Sequence, residues 1–114
     1  MSVRVYLPAT LELLARWSRA GSIPAVADRF VAPEDGEEAE YGALMSAAEA
    51  SAEQVSSPGR RVVLVADVAD PDGEVAWWAL AAVHADTADV DTSSPENLGD
   101  LAWFAVQEVP DLLA

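Results

Sequence analysis

Apolar and polar positions alternate from the start of the chain: Val3, Val5 and Leu7 are separated by Arg4 and Tyr6, and a period of two in a β-branched run reads as a half-buried strand. Pro8 is expected to end that strand. Thr10 follows as an N-cap, Leu11, Leu13, Leu14 and Trp17 form an apolar stripe at helical spacing, and Gly21 closes the helix in the C′ position. The stretch 25–32 holds Val26, Phe30 and Val31 without clean periodicity and reads as a short strand. Acidic residues from Glu34 to Glu40 crowd the place where a second helix begins, where the free N–H groups and the helix dipole favour negative charge. Tyr41, Leu44, Met45, Ala48, Ala52 and Val55 then fall on one helical face, and Ser56-Ser57-Pro58-Gly59 stops the helix.

Residues 61–68 form a nearly continuous β-branched run, the signature of a central strand covered on both faces. Pro71-Asp72-Gly73 is a turn by composition, so 74–80 should return as an antiparallel neighbour, with 82–87 its continuation or a separate short strand. Ser94-Pro95-Glu96 reads as the opening of a last helix, with Leu98, Leu101, Ala102, Ala105 and Val109 as its buried stripe and Pro110 as its end. The elements predict an α+β fold: a mixed β-sheet of four to five strands with about three helices mainly on one face, in the order β-α-β-α-β-β-α. Leu14, Trp17, Leu44, Ala48, Val63, Val65 and Leu101 are expected to share one core.

Size and charge narrow this picture. A chain of 114 residues fits a single domain, 1–114, and the lack of cysteine excludes disulfides and thiolate chemistry. There are 20 acidic side chains against 6 arginines and no lysine, a net charge of −14. All six arginines lie at or before Arg61, while the remainder carries 11 acids and neither arginine nor lysine. Such a surface repels phosphate, so no nucleic-acid partner and no anionic membrane partner is expected. No apolar run approaches the roughly 20 residues of a membrane-spanning helix. The first residues lack the features of a secretory signal, which places the chain in the cytoplasm as an expectation.

Five segments carry a resemblance: Val3-Arg4-Val5-Tyr6-Leu7-Pro8-Ala9-Thr10-Leu11, Glu38-Ala39-Glu40-Tyr41-Gly42-Ala43-Leu44, Arg60 through Val68, Ala82-Val83-His84-Ala85-Asp86, and Trp103-Phe104-Ala105-Val106-Gln107-Glu108-Val109-Pro110. Together they resemble an uncharacterised family of small acidic actinobacterial proteins. The resemblance implies a bacterial cytoplasmic origin and supplies no catalytic residue.

The chemistry available is sparse. No Gly-rich phosphate cradle, G-x-S-x-G elbow or Schiff-base lysine occurs, so no cofactor and no catalytic residue is assigned. Asp67, Asp70, Asp72 and Glu74 crowd one turn, but the chain runs straight into an expected strand instead of completing a 12-residue calcium loop, so no metal ligand is assigned either. His84, the only histidine, stands two residues from Asp86, and on a strand both would leave the same face. A hydrogen-bonded structural histidine is preferred over a metal ligand or a general base. If Val3, Val5 and Leu7 face the helices, then Arg4, Tyr6, Trp78, His84 and Asp86 share the other sheet face. Aromatic residues with arginine are what partner surfaces concentrate.

Two function classes follow. The first is a non-enzymatic protein-interaction or regulatory module, either docking on a basic protein partner or pairing as a homodimer through that face. The second is a small enzyme or ligand-binding module of ferredoxin-like type with a pocket near His84. The absence of a recognisable nucleophile or cofactor loop favours the first.

Overall fold

A computed structural model describes residues 2–94 and 98–114. The first strand, β1 (Val3–Ala9), leads through the Thr10 cap into α1 (Leu11–Ala20). The Thr10 hydroxyl accepts the Leu13 N–H at 3.1 Å, and Gly21 takes φ +79°, a left-handed conformation that a side chain would strain. Two short strands follow, β2 (Ser22–Ile23) and β3 (Phe30–Val31), then the long α2 (Glu37–Gln54) and the apolar β4 (Val62–Val68). The chain continues through β5 (Val75–Ala76), a 3₁₀ turn at Trp77–Ala79, β6 (Leu80–Ala85), β7 (Ala102–Phe104), a second 3₁₀ turn at Val106–Glu108 and a short α3 (Val109–Leu113).

Five strands form one sheet in the order β3-β1-β4-β6-β7, and β2 pairs with β5 in a separate two-stranded sheet. The fold is α+β, and the element order broadly follows the sequence expectation. Every pairing is antiparallel, where interleaved strands and helices suggested a mixed sheet. Strand β1 runs through Pro8 to Ala9 instead of stopping at the proline. Its neighbour β3 pairs only with Val5 and Tyr6, so near Pro8 that side of β1 is an edge, where a missing N–H is tolerated.

Of the segment 74–80 only Leu80 pairs with β4, opposite Ala66. The segment's first residues pair with β2, the chain turns at Trp77–Ala79, and β6 is the strand that joins β4. The expected last helix is the largest departure. Its opening at Pro95 and Glu96 lies outside the described residues; of its stripe, Leu98 and Leu101 are in irregular chain, Ala102 begins strand β7, Ala105 follows that strand and Val109 begins α3. Pairing of Val83, His84 and Ala85 with Phe104, Trp103 and Ala102 overrides the helical spacing, since an aromatic pair fits a pleated surface.

Two cores sandwich the sheet. On one face Val5, Leu7, Val62, Leu64 and Val83 pack with Leu14 and Trp17 of α1, Val109 and Leu112 of α3, and Ile23 and Val75 of the small sheet. On the other, Tyr6, Val63 and Val65 pack with Ala43, Ala47 and Ala48 of α2. Two of the three helices therefore share a face, but the longest covers the opposite one, and the seven residues expected in one core are divided between two. Leu44 and Leu101 are only partly buried.

The second core is built of small side chains, so α2 lies close to the sheet. The Ser51 hydroxyl is buried in that seam, where it donates to the Ala9 carbonyl at 2.7 Å and accepts the Val62 N–H at 2.9 Å. At the opposite rim, Arg29 donates to five carbonyls, those of Pro24, Ala25, Ala27, Pro71 and Gly73, tying the loop after β2 to the turn before β5.

Candidate functional site

A helix is about 10 Å wide and strands are spaced about 4.8 Å apart, so one helix covers about half of a five-stranded face. Helix α2 packs over β3, β1 and β4. Beside it the face continues across β6 and β7 without a helix, and the step between helix and bare sheet is a trough of about 460 Å³.

Strand register sets the floor. Tyr6 pairs with Val65 and Val65 with Ala82, while Val63 pairs with His84 and His84 with Trp103, so two cross-strand rows place Tyr6, Ala82, His84 and Trp103 on the same side. The first turns of α2 supply the wall, with Glu37, Glu40, Tyr41 and Leu44 about one turn apart. A smaller hollow of about 230 Å³ shares Tyr41, Leu44, His84 and Trp103 and extends toward Arg61, Asp100 and Leu101.

Arg4 closes one end of the trough. Its guanidinium donates to both oxygens of Asp67, at 2.9 and 3.0 Å, and lies 3.8 Å from Glu40. The bond to Asp67 holds Arg4 more firmly protonated than usual. Burial, followed by the Glu40 carboxylate, raises the pKa of the Tyr6 hydroxyl and keeps it a neutral phenol. The Tyr41 hydroxyl donates to Asp100 at 2.9 Å, yet its ring remains 52% exposed, and Trp103 is 61% exposed. Burial pulls the His84 pKa below the ordinary imidazole value.

Three of the five residues expected to share this face, Arg4, Tyr6 and His84, meet in the trough. Tyr6 lies at its base, 5% exposed. Trp78 does not join them: it sits on the 3₁₀ turn after β5, outside the five-stranded sheet, and is 87% exposed. Tyr6 and Trp78 therefore form no common surface for a second copy of the chain. Asp86 stands just past β6 and does not pair with His84. It accepts two bonds from the Arg61 side chain, at 2.9 and 2.7 Å, and the Arg61 backbone N–H at 2.8 Å, and both side chains are almost wholly buried. Arg61 also donates to the Gly99 carbonyl at 2.8 Å, anchoring the chain that enters β7.

Among the described residues no side-chain hydrogen bond holds His84, where the sequence reading expects a hydrogen-bonded structural histidine. Asp70 accepts the Asp72 N–H at 3.0 Å and so serves its own turn. Glu37, Glu40, Tyr41 and Trp103 are the acidic and aromatic trough residues that the sequence reading did not assign to a site. Tyr41 precedes Leu44 by three residues on the same helix face, which was the available signal for it; Trp103 fell between the stripe positions of an expected helix where the chain is strand β7.

No helix among the described residues is long and apolar enough to cross a membrane. No curated protein and no solved structure matches the chain. A family model described as a family of unknown function, DUF6912, matches residues 3–113, nearly the whole length, and the chain belongs to that family.

Proposed function

We propose that the chain is a non-enzymatic protein-interaction module that binds a basic protein partner through the half of the sheet face that α2 leaves bare. The observation that carries this reading is the pair of exposed rings, Tyr41 and Trp103, flanking a trough whose wall is acidic. Aromatic residues left in water beside a concave surface are the kind of anchor that interfaces concentrate. The surplus of acid over base gives such a surface long-range attraction for a cationic partner. Catalysis is a poorer fit, because an active general base is normally oriented by a second group and His84 has none among the described residues, Asp86 being engaged by Arg61.

Titration with a lysine- and arginine-rich peptide, a neutral peptide and an acidic peptide tests the reading. Only the basic peptide should bind, and its binding should vanish by about 0.5 M salt, where the Debye length is about 4 Å. Equal affinity for the neutral peptide would remove the electrostatic basis.

A second reading, pairing of two copies over the same patch, is favoured by the position of β7, which carries the exposed Trp103, at the edge of the five-stranded sheet. Two chains of net charge −14 repel, so a dimer held by apolar contact should tighten as salt rises. Sedimentation of the wild type and Trp103→Arg from low to moderate salt separates the two readings, since docking on a basic partner weakens over the same range.

A further inference from the structure

We infer that the trough beside His84 is the seat of one arginine side chain from that basic protein partner, an assignment that rests on the interaction reading above and names its anchor. Charge is the first ground. Arg4 is already engaged by Asp67 and lies near Glu40, and with Glu37 the carboxylates at this end number three against one guanidinium. An entering cation meets net negative charge, and an entering anion meets an arginine whose charge Asp67 already offsets and must also approach the Glu37 and Glu40 carboxylates.

Ring chemistry is the second ground. A guanidinium is planar and weakly hydrated, stacks on aromatic faces, and presents its donors in a fork that matches carboxylates. Trp103 and Tyr41 offer faces and Glu40 offers oxygens around the same space. His84, kept neutral by burial, adds a nitrogen acceptor without adding positive charge. Shape is the third ground. A free small molecule is usually held with 70–90% of its surface buried. A trough open along one side instead suits a side chain whose backbone continues outside, and the −14 charge of the whole chain complements the basic segment that would carry it.

The test is calorimetric titration at low salt with three peptides of the form Gly-Ser-X-Ser-Gly-X-Gly-Ser, X being arginine, lysine or citrulline, and with free arginine amide. The arginine peptide should bind best and the citrulline peptide, of equal shape but uncharged, at least tenfold more weakly. Trp103→Ala should lose about two- to fivefold. Glu40→Gln should weaken binding and Arg4→Gln should tighten it, each by about two- to fivefold, because the two charges act on the ligand in opposite directions. Asp111→Asn, at the far end of the chain on α3, should change it less than twofold.

Weaker binding of the arginine peptide by Arg4→Gln would mean that the trough does not hold it by opposing charge and would overturn the assignment. Equal losses from Asp111→Asn and Glu40→Gln would show diffuse attraction, overturning the seat while leaving the interaction reading intact. Arginine amide binding as tightly as the peptide would make this a small-ligand site and overturn the protein partner. Binding of none of the cationic probes would overturn the interaction reading itself. All three trough substitutions are at side chains partly or largely open to solvent, so unchanged circular dichroism is the expected control.

Discussion

Replacing Asp86 by alanine should be among the most damaging single changes outside the apolar cores. The carboxylate satisfies three N–H groups of Arg61, at 2.8, 2.9 and 2.7 Å, in a place where the two side chains are 4% and 6% exposed. Removing it leaves a guanidinium whose one remaining bond among the described residues is to Gly99, with no counter-charge among them, in a site that water barely reaches. Breaking a buried pair in this way costs about 3–5 kcal/mol, against a total stability of about 5–15 kcal/mol for a protein of ordinary stability. With a urea dependence of about 1–3 kcal/mol per molar, the unfolding midpoint should fall by about 2 M. The double variant Arg61→Met/Asp86→Leu should recover part of this loss, since it buries no orphaned charge, though the Arg61 backbone N–H still lacks its acceptor. Equilibrium urea unfolding by tryptophan fluorescence and circular dichroism gives both numbers. A loss below about 1 kcal/mol for Asp86→Ala, or a double variant less stable than the single, would refute the reasoning and restore Asp86 as a candidate for function.

Ser51→Ala should cost about 1–3 kcal/mol in the same assay, because it leaves the buried Val62 N–H without an acceptor and the Ala9 carbonyl without its donor. Arg29→Met should cost about 2 kcal/mol, and Arg29→Lys should recover little of it, since an ammonium cannot span carbonyls on both sides of the gap; thermal unfolding of the two variants side by side checks this. The imidazole of His84, followed by proton NMR as the only histidine signal, should titrate below 6.5. A depressed histidine pKa means that the unfolded chain binds the proton more readily, so the contribution is fully present above about 6.5 and is lost as pH falls toward the folded pKa; His84→Phe should flatten that part of the stability profile, and a titration midpoint at or above 6.5 would contradict the burial.

Elements whose signals are local were legible from the sequence. Thr10 and Gly21 bracket α1 because a cap hydroxyl and a left-handed glycine are satisfied within a few residues of themselves. The apolar run of β4 and the alternation of β1 also survive, and alternation correctly put Arg4, Tyr6 and His84 on a common side. What covers that side was not legible, because the choice of face for α2 is made by chain connection and by the fit of alanines against Tyr6, Val63 and Val65, not by any property of the helix alone. Strand β7 was missed because Leu98, Leu101, Ala102 and Ala105 imitate a helical stripe, and only pairing with β6 decides between the two conformations. The partner of Asp86 was equally hidden. Arg61 is 25 residues away and becomes its neighbour only when β4 and β6 align.

The alanine seam beneath α2 also works as a gauge. Since Ala43, Ala47 and Ala48 set how near the helix axis sits to the strands, they also set how far Glu40 and Tyr41 stand above His84 and Trp103. Exchanging one of these methyl groups for an isopropyl would raise the wall and widen the opening without altering any residue that lines it. Calibre and chemistry are thus encoded at separate positions along the same helix. Relatives could diverge in the girth of what they accept while keeping their charges and rings unchanged, and a designer could retune the width by substitutions in the seam alone.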